Sequence, residues 1–250
     1  MMNEYAEHLT RVERIEDGDG YGTGRTARPQ DAATLVLVDR SGAEPRVLLG
    51  RRHERHAFLP NRFVFPGGRV DAADARMPVA APLDAESERR LMQRVRRPTR
   101  SRARALALTA IRETMEETGL LLGRKFGGAL AAPSPAWRPF TDAGVAPDLS
   151  ALEFVFRAIT PPKRPRRFDT RFFLAERSAV GGELAGSVGP ESEFVELKWL
   201  TFAEAEQENL PSITKVVLVE TAARVARGTV RPAVPFYFWK AGRFYREEID

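Results

Sequence analysis

Four charged residues near the middle of the chain have the types and the spacing that metal chemistry needs. Glu113, Glu116 and Glu117 stand three and four residues apart, so on a helix their carboxylates share one face. Acids held this close repel one another unless they are fully solvated, so a cation should lie between them. Arg112 can bridge only one carboxylate, that of Glu116 one turn further on. The remaining oxygens are the hard ligands that Mg²⁺ or Mn²⁺ prefers.

The same spacing predicts the rest of this helix. Leu108, Ile111 and Met115 recur at three- and four-residue intervals on the face opposite the acids, which leaves that stripe for the core. Gly119 should end the helix, because a residue without Cβ takes the left-handed conformation at little cost.

The cluster could also be the solvated acidic end of a helix, because runs of charge are most often exposed faces. Two glycines upstream favour a metal site instead. Gly67 and Gly68 follow the apolar stretch 63–65 and should form a turn. Without side chains, backbone can approach a ligand or metal closely and a carbonyl can point toward it.

Together these stretches resemble the Nudix box: a glycine, five residues, an acid, seven residues, then Arg-Glu-aliphatic-any-Glu-Glu-any-Gly-aliphatic. Gly68 begins the box here and residues 112–120 end it. The box departs from the family pattern in three ways. Asp74 replaces the first glutamate, Thr114 takes the aliphatic position, and residues 75–111 lie where the family usually has only seven.

The resemblance implies a role for each residue of the box. Nudix enzymes cut a diphosphate linked to another moiety, and divalent cations relieve the negative charge on its oxygens. By similarity, the catalytic and metal-binding set consists of Glu116 and Glu117 as ligands of Mg²⁺ or Mn²⁺, Glu113 as a further ligand, the Gly68 carbonyl, and Arg112 to orient the carboxylates.

The general base is left open. In this family it is a glutamate of the box or an acid on a later loop. The later candidates are Glu191, Glu193 and Glu196, each of which is more often a surface or structural residue than a base.

Other stretches narrow the resemblance to one branch of the family. The long insertion inside the box, the Phe-Leu-Pro lead at residues 58–60 and the Arg-Phe-Asp-Thr-Arg-Phe-Phe run at residues 167–173 look like the branch that includes acyl-coenzyme A diphosphatases. That likeness implies cleavage of coenzyme A or its thioesters, with ADP-ribose or dinucleotides as alternatives. Packing and turn formation explain such stretches equally well. The expected substrate contacts are Arg51, Arg52, Arg69 and Phe58.

The insertion carries a dense run of arginines. They are Arg89, Arg90, Arg94, Arg96, Arg97, Arg100, Arg102 and Arg104. Both ends of the segment are tied close to the box, so we expect the run to bind a substrate phosphate remote from the cut, such as the ribose phosphate of coenzyme A. The alternatives are a solvated helix or a contact with a partner subunit. Nucleic acid is disfavoured, because no aromatic residue lies between positions 89 and 104.

Composition excludes several other classes of protein. The chain has 250 residues, is 43% hydrophobic and has a formal net charge of +5. It has no cysteine for disulfides or thiol chemistry, and its 3 scattered histidines are too few for a zinc site. No segment approaches a membrane span, and residues 1–30 carry no secretory signal. We therefore expect a cytoplasmic protein that binds neither membrane nor nucleic acid. The resemblance implies a small-molecule diphosphate as its ligand, and a homodimer is left open.

Periodicity places these residues in an α/β protein. Strands are predicted at residues 33–39, 46–52, 120–122, 154–160, 171–175, 193–200, 236–239 and 243–245, and helices at 84–95, 101–118, 202–208 and 211–227. Residues 131–145 should be a loop with one helical turn at most. This alternation fits the Nudix-type α/β/α sandwich with a mixed sheet that the resemblance implies. We predict an N-terminal extension over residues 1–30 and a single Nudix hydrolase domain over 31–250, with a basic insertion at about 75–105.

A nucleotide-binding or regulatory module with this fold and no turnover is the alternative from another functional class. A pure binder does not need three clustered carboxylates, so the intact glutamates favour an enzyme. The sequence leaves the number of metal ions open.

Overall fold

A computed structural model describes residues 4–17, 27–55, 59–164, 166–228 and 230–250. The strands are β1 (Gln30–Asp39), β2 (Arg46–Arg52), β3 (Phe63–Val64), β4 (Gly67–Arg69), β5 (Leu120–Lys125), β6 (Val145–Pro147), β7 (Glu153–Ile159), β8 (Phe168–Glu176), β9 (Val180–Glu183), β10 (Phe194–Thr201), β11 (Val234–Lys240) and β12 (Arg243–Ile249). The α-helices are α1 (Glu4–Asp17), α2 (Ala85–Leu91), α3 (Arg100–Thr118), α4 (Arg138–Asp142), α5 (Phe202–Gln207) and α6 (Ser212–Ala226).

Most strands form one mixed sheet in the order β10-β2-β1-β8-β7-β11-β12, with β3 paired to β2 and β4 paired to β1. β1 is antiparallel to β2 near its end and to β4 near its start, and it runs parallel to β8 along its length. Parallel neighbours need a long crossover connection, and the interrupted box lies within the chain that joins β1 to β8. β5, β6 and β9 form a separate small sheet.

Helices cover both faces of the large sheet. Leu35 and Leu37 of β1 pack in the same core as the buried face of α3, whereas Val36 and Val38 belong to a second core with α1, α5 and α6. Successive side chains of a strand point to opposite faces, so β1 contributes to both cores. The predicted α/β/α sandwich with a mixed sheet is confirmed.

α3 positions the residues of the box. The Thr99 side chain caps its first turn by accepting a hydrogen bond from the Arg102 amide, and Gly119 ends it with a φ of 79°. Leu108, Ile111 and Met115 are buried, as their spacing predicts. Burial of this stripe fixes the rotation of the helix and turns its acidic residues toward β4.

Gly67 and Gly68 do not form the predicted turn. They lie in β4, where Gly68 is opposite Ala33 of β1, and the chain bends just before them at Pro66. The expectation failed because a pair of glycines marks a close backbone approach as readily as a turn.

Other element boundaries differ where packing outweighs local pattern. The helix expected over residues 84–95 ends at Leu91, and residues 131–145 contain a 3₁₀ helix followed by α4 where a loop was expected. The sequence pattern also does not predict α1 or β9, although α1 buries Ala6 and Leu9. In the parts of the chain that the structure describes, no helix is long and apolar enough to cross a membrane.

The arginines of the insertion mainly fasten it to the rest of the protein. Arg102 donates two hydrogen bonds of 2.6 Å to Asp31 of β1, and the buried Arg90 donates to the carbonyl of Pro232. The arginines that bond acids or backbone carbonyls are Arg89, Arg90, Arg94, Arg100, Arg102 and Arg104. Six of the eight arginines are therefore engaged in structural contacts, and the phosphate site expected from the sequence stays a prediction.

Candidate active site

β4 and α3 meet at two glycines whose positions have no room for a side chain. A Cβ on Gly67 would lie 2.6 Å from the Cα of Thr34 in β1, and a Cβ on Gly68 would lie 2.5 Å from the carboxylate of Glu113. Because glycine lacks this atom, the edge of the sheet can lie directly against the acidic face of the helix.

The three glutamates of α3 face this edge but differ in exposure. Glu117 is buried, and its carboxylate accepts a hydrogen bond of 2.8 Å from the Gly67 amide. The Glu113 side chain is 15% exposed and that of Glu116 is 38% exposed. The carboxylates thus extend from the interior to the surface, so a ligand can approach from the side of Glu116.

Arg112 is buried among these carboxylates and connects them to β4. Its Nη1 donates to Glu113 at 2.8 Å and to Glu116 at 2.9 Å, and its Nη2 donates to the Arg69 carbonyl at 2.9 Å. The expectation that Arg112 bridges only Glu116 is therefore wrong, because one guanidinium nitrogen reaches both carboxylates. Burial opposes the charge of Arg112, yet the hydrogen bond to Asp74 and the nearby carboxylates raise its pKa above the usual value.

Asp74 anchors the remaining edge of this guanidinium. The carboxylate is fully buried and accepts hydrogen bonds from Arg112 Nε at 2.8 Å and Nη2 at 3.1 Å. It also accepts from the Thr109 hydroxyl at 2.7 Å, the Trp137 indole at 3.1 Å and the Asp71 amide at 3.0 Å. Because donors surround both oxygens, Asp74 orients Arg112 and is not free to bind a metal.

Trp137 and Thr109 are the residues of the site that sequence reasoning missed. Trp137 is fully buried and 63 residues from Asp74 along the chain, so no local pattern connects them. Thr109 carries a weak signal, since it is a hydroxyl residue three positions before Arg112 and therefore on the same face of the helix. A buried hydroxyl needs a hydrogen-bond partner, which predicts a polar group facing this side of the helix.

Burial and mutual repulsion raise the pKa of each glutamate of the box. Burial, opposed by Arg112 and reinforced by Glu116 and Glu193, raises the pKa of Glu113 to about 7. Burial also raises the pKa of Glu116, and burial with the charges of Glu193 and Glu113 raises the pKa of Glu117 well above its usual value. Carboxylates whose charged forms are disfavoured in this way are stabilised by a nearby cation.

Glu193 lies closer to the box than the other two general-base candidates. Its charge contributes to the raised pKa of all three box glutamates, and it forms an ion pair of 2.8 Å with Arg52. Glu196 instead pairs with Arg51, and Glu191 is 88% exposed. The sequence does not distinguish the three general-base candidates, but their positions in the structure favour Glu193.

The fold fixes the position of Glu193 through its neighbour Phe194. The Phe194 ring is fully buried and occupies the space where a Cβ of Gly50 would be, 2.1 Å from the nearest ring carbon. The pairing of β10 with β2 is irregular just after Phe194. Irregularities of this kind bend a strand and redirect its side chains, and this one directly follows Glu193 and Phe194.

The expected substrate contacts occupy different positions. Arg52 is largely buried, with 13% of its side chain exposed, whereas Arg51 is 36% exposed. Arg69 is exposed, and its side chain reaches Gln30 at 3.5 Å. Phe58 lies outside the described residues. Their roles in substrate binding stay predictions.

The chemistry of the donor set fits a divalent cation. Three carboxylates that repel one another offer the hard oxygen ligands that Mg²⁺ and Mn²⁺ bind. Among the residues that the structure describes, however, no group of three or more His, Cys, Asp or Glu side chains is arranged to hold a metal ion. The hydrogen bonds to Arg112 hold Glu113 and Glu116 in their present orientations. These carboxylates would have to turn toward a bound cation.

Comparison with solved structures supports the resemblance of this chain to Nudix hydrolases. The crystal structure of a NUDIX hydrolase from Alicyclobacillus acidocaldarius matches with a TM-score of 0.57 and 31% sequence identity. The match covers 82% of this chain and 97% of that protein. No model of a protein family matches the chain.

Two curated relatives match a shorter part of the chain. Nudix hydrolase 7, as assigned in Caenorhabditis elegans, is 28% identical over 161 residues, which is 60% of this chain and 45% of that protein. Acyl-coenzyme A diphosphatase NUDT19 of Gallus gallus is 33% identical over 178 residues, which is 51% of this chain and 47% of that protein. The chain thus spans about half the length of these relatives. From the bacterial match and the interrupted box together, the chain belongs to the Nudix hydrolase family.

Proposed function

We propose that this protein is a metal-dependent hydrolase that cleaves the diphosphate of a nucleoside diphosphate linked to another moiety. Mg²⁺ or Mn²⁺ is the proposed cofactor. Coenzyme A or an acyl-coenzyme A is the proposed substrate.

The observation that carries this proposal is the approach of Glu113 and Glu117 to β4, with Glu116 held beside Glu113 by Arg112. Glu117 accepts a hydrogen bond from the Gly67 amide, and the Glu113 carboxylate fills the space that a side chain on Gly68 would need. The carboxylates of a solvated helix end would point into water and would not contact the backbone of Gly67 and Gly68. The burial of Glu117 also conflicts with the alternative of a solvated helix end.

The residues of the chain divide the work as follows. Glu113, Glu116 and Glu117 would hold the cation, with the Gly68 carbonyl as a further ligand. When bound, the cation supplies positive charge against the crowded oxygens of the diphosphate. Arg112 keeps Glu113 and Glu116 close together through its Nη1.

Glu193 is the proposed general base that takes a proton from the attacking water. It is 41% exposed, so water reaches it, and Arg52 orients it through the ion pair of 2.8 Å. General bases act through hydrogen-bond contact with the group that loses the proton, so a position beside the box is required. Glu193 meets this requirement better than Glu196, because its charge acts on all three box glutamates.

Coenzyme A derivatives are favoured because a relative with 33% identity over about half of this chain is named an acyl-coenzyme A diphosphatase. The sequence features around the box support the same branch. ADP-ribose and dinucleotides are the competing diphosphates, and a direct comparison of substrates separates them.

The test is a screen of coenzyme A, an acyl-coenzyme A, ADP-ribose and a dinucleoside polyphosphate with Mg²⁺ and with Mn²⁺, in which the released products are identified. Glu116→Gln and Glu117→Gln should lower turnover roughly a hundredfold or more, because each removes a charge that stabilises the reacting state. Mn²⁺ affinity, measured by electron paramagnetic resonance, should fall in both variants. Glu44→Gln, on an exposed turn, is the matched control and should change neither quantity.

Normal turnover in both Glu116→Gln and Glu117→Gln would show that the metal site is assigned to the wrong residues. Tight binding of a nucleotide with no product from any diphosphate would refute the enzyme and favour a binding module.

A further inference from the structure

Cations from four separate segments meet at one end of the large sheet. We call this surface the basic edge, and its members are Arg28, Arg69, Arg96, Arg97, Lys163, Arg166 and Arg167. They come from the chain before β1, from β4, from the loop between α2 and α3, and from the turn between β7 and β8. All but Arg167 are exposed.

Backbone contacts show that these segments are neighbours. The Gln30 amide at the start of β1 donates to the Arg167 carbonyl, and the Gln30 side chain accepts from Arg69. Arg102 connects the insertion to the same place, because it bonds Asp31 through Nε and the Arg96 carbonyl through Nη1. The basic edge is therefore one continuous surface.

The acids beneath this surface are already neutralised. Asp31 pairs with Arg102 and Arg171, and Asp169 pairs with Arg157 and Arg171. This buried layer combines three guanidinium groups with two carboxylates, so it adds positive charge to the edge. Within the described residues, one nitrogen of Arg171, Nη2, is buried without a hydrogen-bond partner.

The outer cations of the basic edge have no acidic partner among the described residues. In the described parts of the chain, no acid pairs with Arg28, Arg96, Arg97, Lys163 or Arg166. Nearby Asp71 uses one carboxylate oxygen to accept from the Ala73 amide. Cations that lie on neighbouring segments without acidic partners are stabilised by an anion.

The basic edge begins at the candidate active site. Arg69 follows Gly68 directly, and its carbonyl accepts a hydrogen bond from Arg112. Gly68 is opposite Ala33, and Gln30 lies three residues before Ala33 on the same strand. Since a strand rises about 3.3 Å per residue, the edge extends from Arg69, next to the glycines, to the Gln30 end of β1, about 10 Å away.

We propose that the basic edge binds a second phosphate of the substrate, a phosphomonoester on the nucleoside half that is separate from the diphosphate. This inference rests on the proposed function, because it assumes that the diphosphate lies at the box glutamates. Guanidinium groups suit a phosphomonoester, whose oxygens accept paired hydrogen bonds. Only two arginines of the insertion, Arg96 and Arg97, belong to this site, and the others come from elsewhere in the chain.

A nucleic acid fits this surface less well. Proteins that bind single strands interleave cations with aromatic side chains on which bases stack. Residues 94–100 and 161–167 contain no aromatic residue. The surface can therefore hold phosphate charge but lacks a platform for bases.

The test uses a variant with Arg96, Arg97, Lys163 and Arg166 changed to glutamine, which leaves Arg69 and the box intact. A matched control changes four exposed cations elsewhere, namely Arg46, Arg138, Lys215 and Arg227, to glutamine. Calorimetry at low salt compares adenosine 3′,5′-bisphosphate with adenosine 5′-monophosphate, and kinetics compare kcat/KM for coenzyme A and 3′-dephospho-coenzyme A.

We expect the wild type and the control variant to prefer the extra phosphate about tenfold, and the edge variant to lose most of that preference, as for the loss of several exposed ion pairs. The preference should shrink as salt is added, because salt screens exposed charges. Equal binding of both nucleotides by the wild type would overturn the proposal, and so would an unchanged preference in the edge variant. Binding of a DNA duplex at the edge without any nucleotide preference would overturn it in favour of nucleic acid. If no coenzyme A form is hydrolysed but the bisphosphate preference persists, the proposed function fails while phosphate binding by the edge is supported.

Discussion

Replacing Asp74 with asparagine keeps the shape of the side chain but removes its charge and one of its two acceptor oxygens. In the native protein, Oδ1 accepts from Arg112 and Trp137, and Oδ2 accepts from Arg112, Thr109 and the Asp71 amide. Either orientation of the new amide places an NH₂ group against at least two of these donors. No flip of the asparagine can satisfy the site.

The cost follows from the burial of this ion pair. Asp74 is 0% exposed and the Arg112 side chain 7% exposed, so the Nε and Nη2 groups that face the new amide cannot be solvated in place, while Nη1 keeps its contacts with Glu113 and Glu116. Breaking a buried pair by removing one partner costs about 3 to 5 kcal/mol. For a protein of this size, that corresponds to a fall in Tm of about 6 to 20 °C.

The free energy of unfolding should be measured by urea denaturation of wild type and Asp74→Asn, with Tm from calorimetry. Asp142→Asn is the matched control, because it makes the same chemical change at an exposed position and should alter stability by less than about 0.5 kcal/mol. A loss below about 1 kcal/mol in Asp74→Asn would refute the reasoning, since it would mean that Arg112 finds another partner or that water enters the site.

Three further predictions follow from the same geometry. Gly68→Ala should lower turnover roughly a hundredfold, because its Cβ would displace the glutamate carboxylate 2.5 Å away, whereas Gly127→Ala, with no atom within 4 Å, should leave steady-state kinetics unchanged; equal kinetics in both variants would count against the close approach at β4. Glu193→Gln should lower kcat at least roughly a hundredfold at saturating metal, while Glu191→Gln, 88% exposed, should not; a normal kcat in the first variant would remove it as the base. Trp137→Phe should lower the free energy of unfolding by about 1 to 3 kcal/mol through loss of its hydrogen bond to the buried aspartate, and unchanged urea denaturation would show that this bond contributes little.

The sequence by itself determined the local parts of the site. The helix from Arg100 to Thr118 and its stop at Gly119 follow from apolar spacing and a glycine cap, which act within a few turns. The spacing of Glu113, Glu116 and Glu117 also fixes their common side of that helix. The alternation of strands with helices along the chain similarly predicts an α/β fold, because a continuous apolar run such as residues 35–38 marks a strand buried on both faces.

The sequence does not determine the boundaries of elements in segments whose local pattern is compatible with more than one type of secondary structure. Gly67 and Gly68 are compatible with a turn or with an edge strand, and pairing with β1 decided for the strand. Residues 131–145 contain few periodic apolar positions, yet Trp137 and Phe140 are fully buried and hold a short helix in place. Tertiary packing overrides weak local propensity in such segments.

The tertiary structure alone decided how the site is held together. It brought Trp137 to Asp74 across 63 residues, and it divided the arginines of the insertion between structural partners and the basic edge. Contacts at such separations depend on which segments the fold closes against each other. Periodicity records whether a side chain is buried, but it does not record which distant group it meets, because many pairings satisfy the same burial pattern.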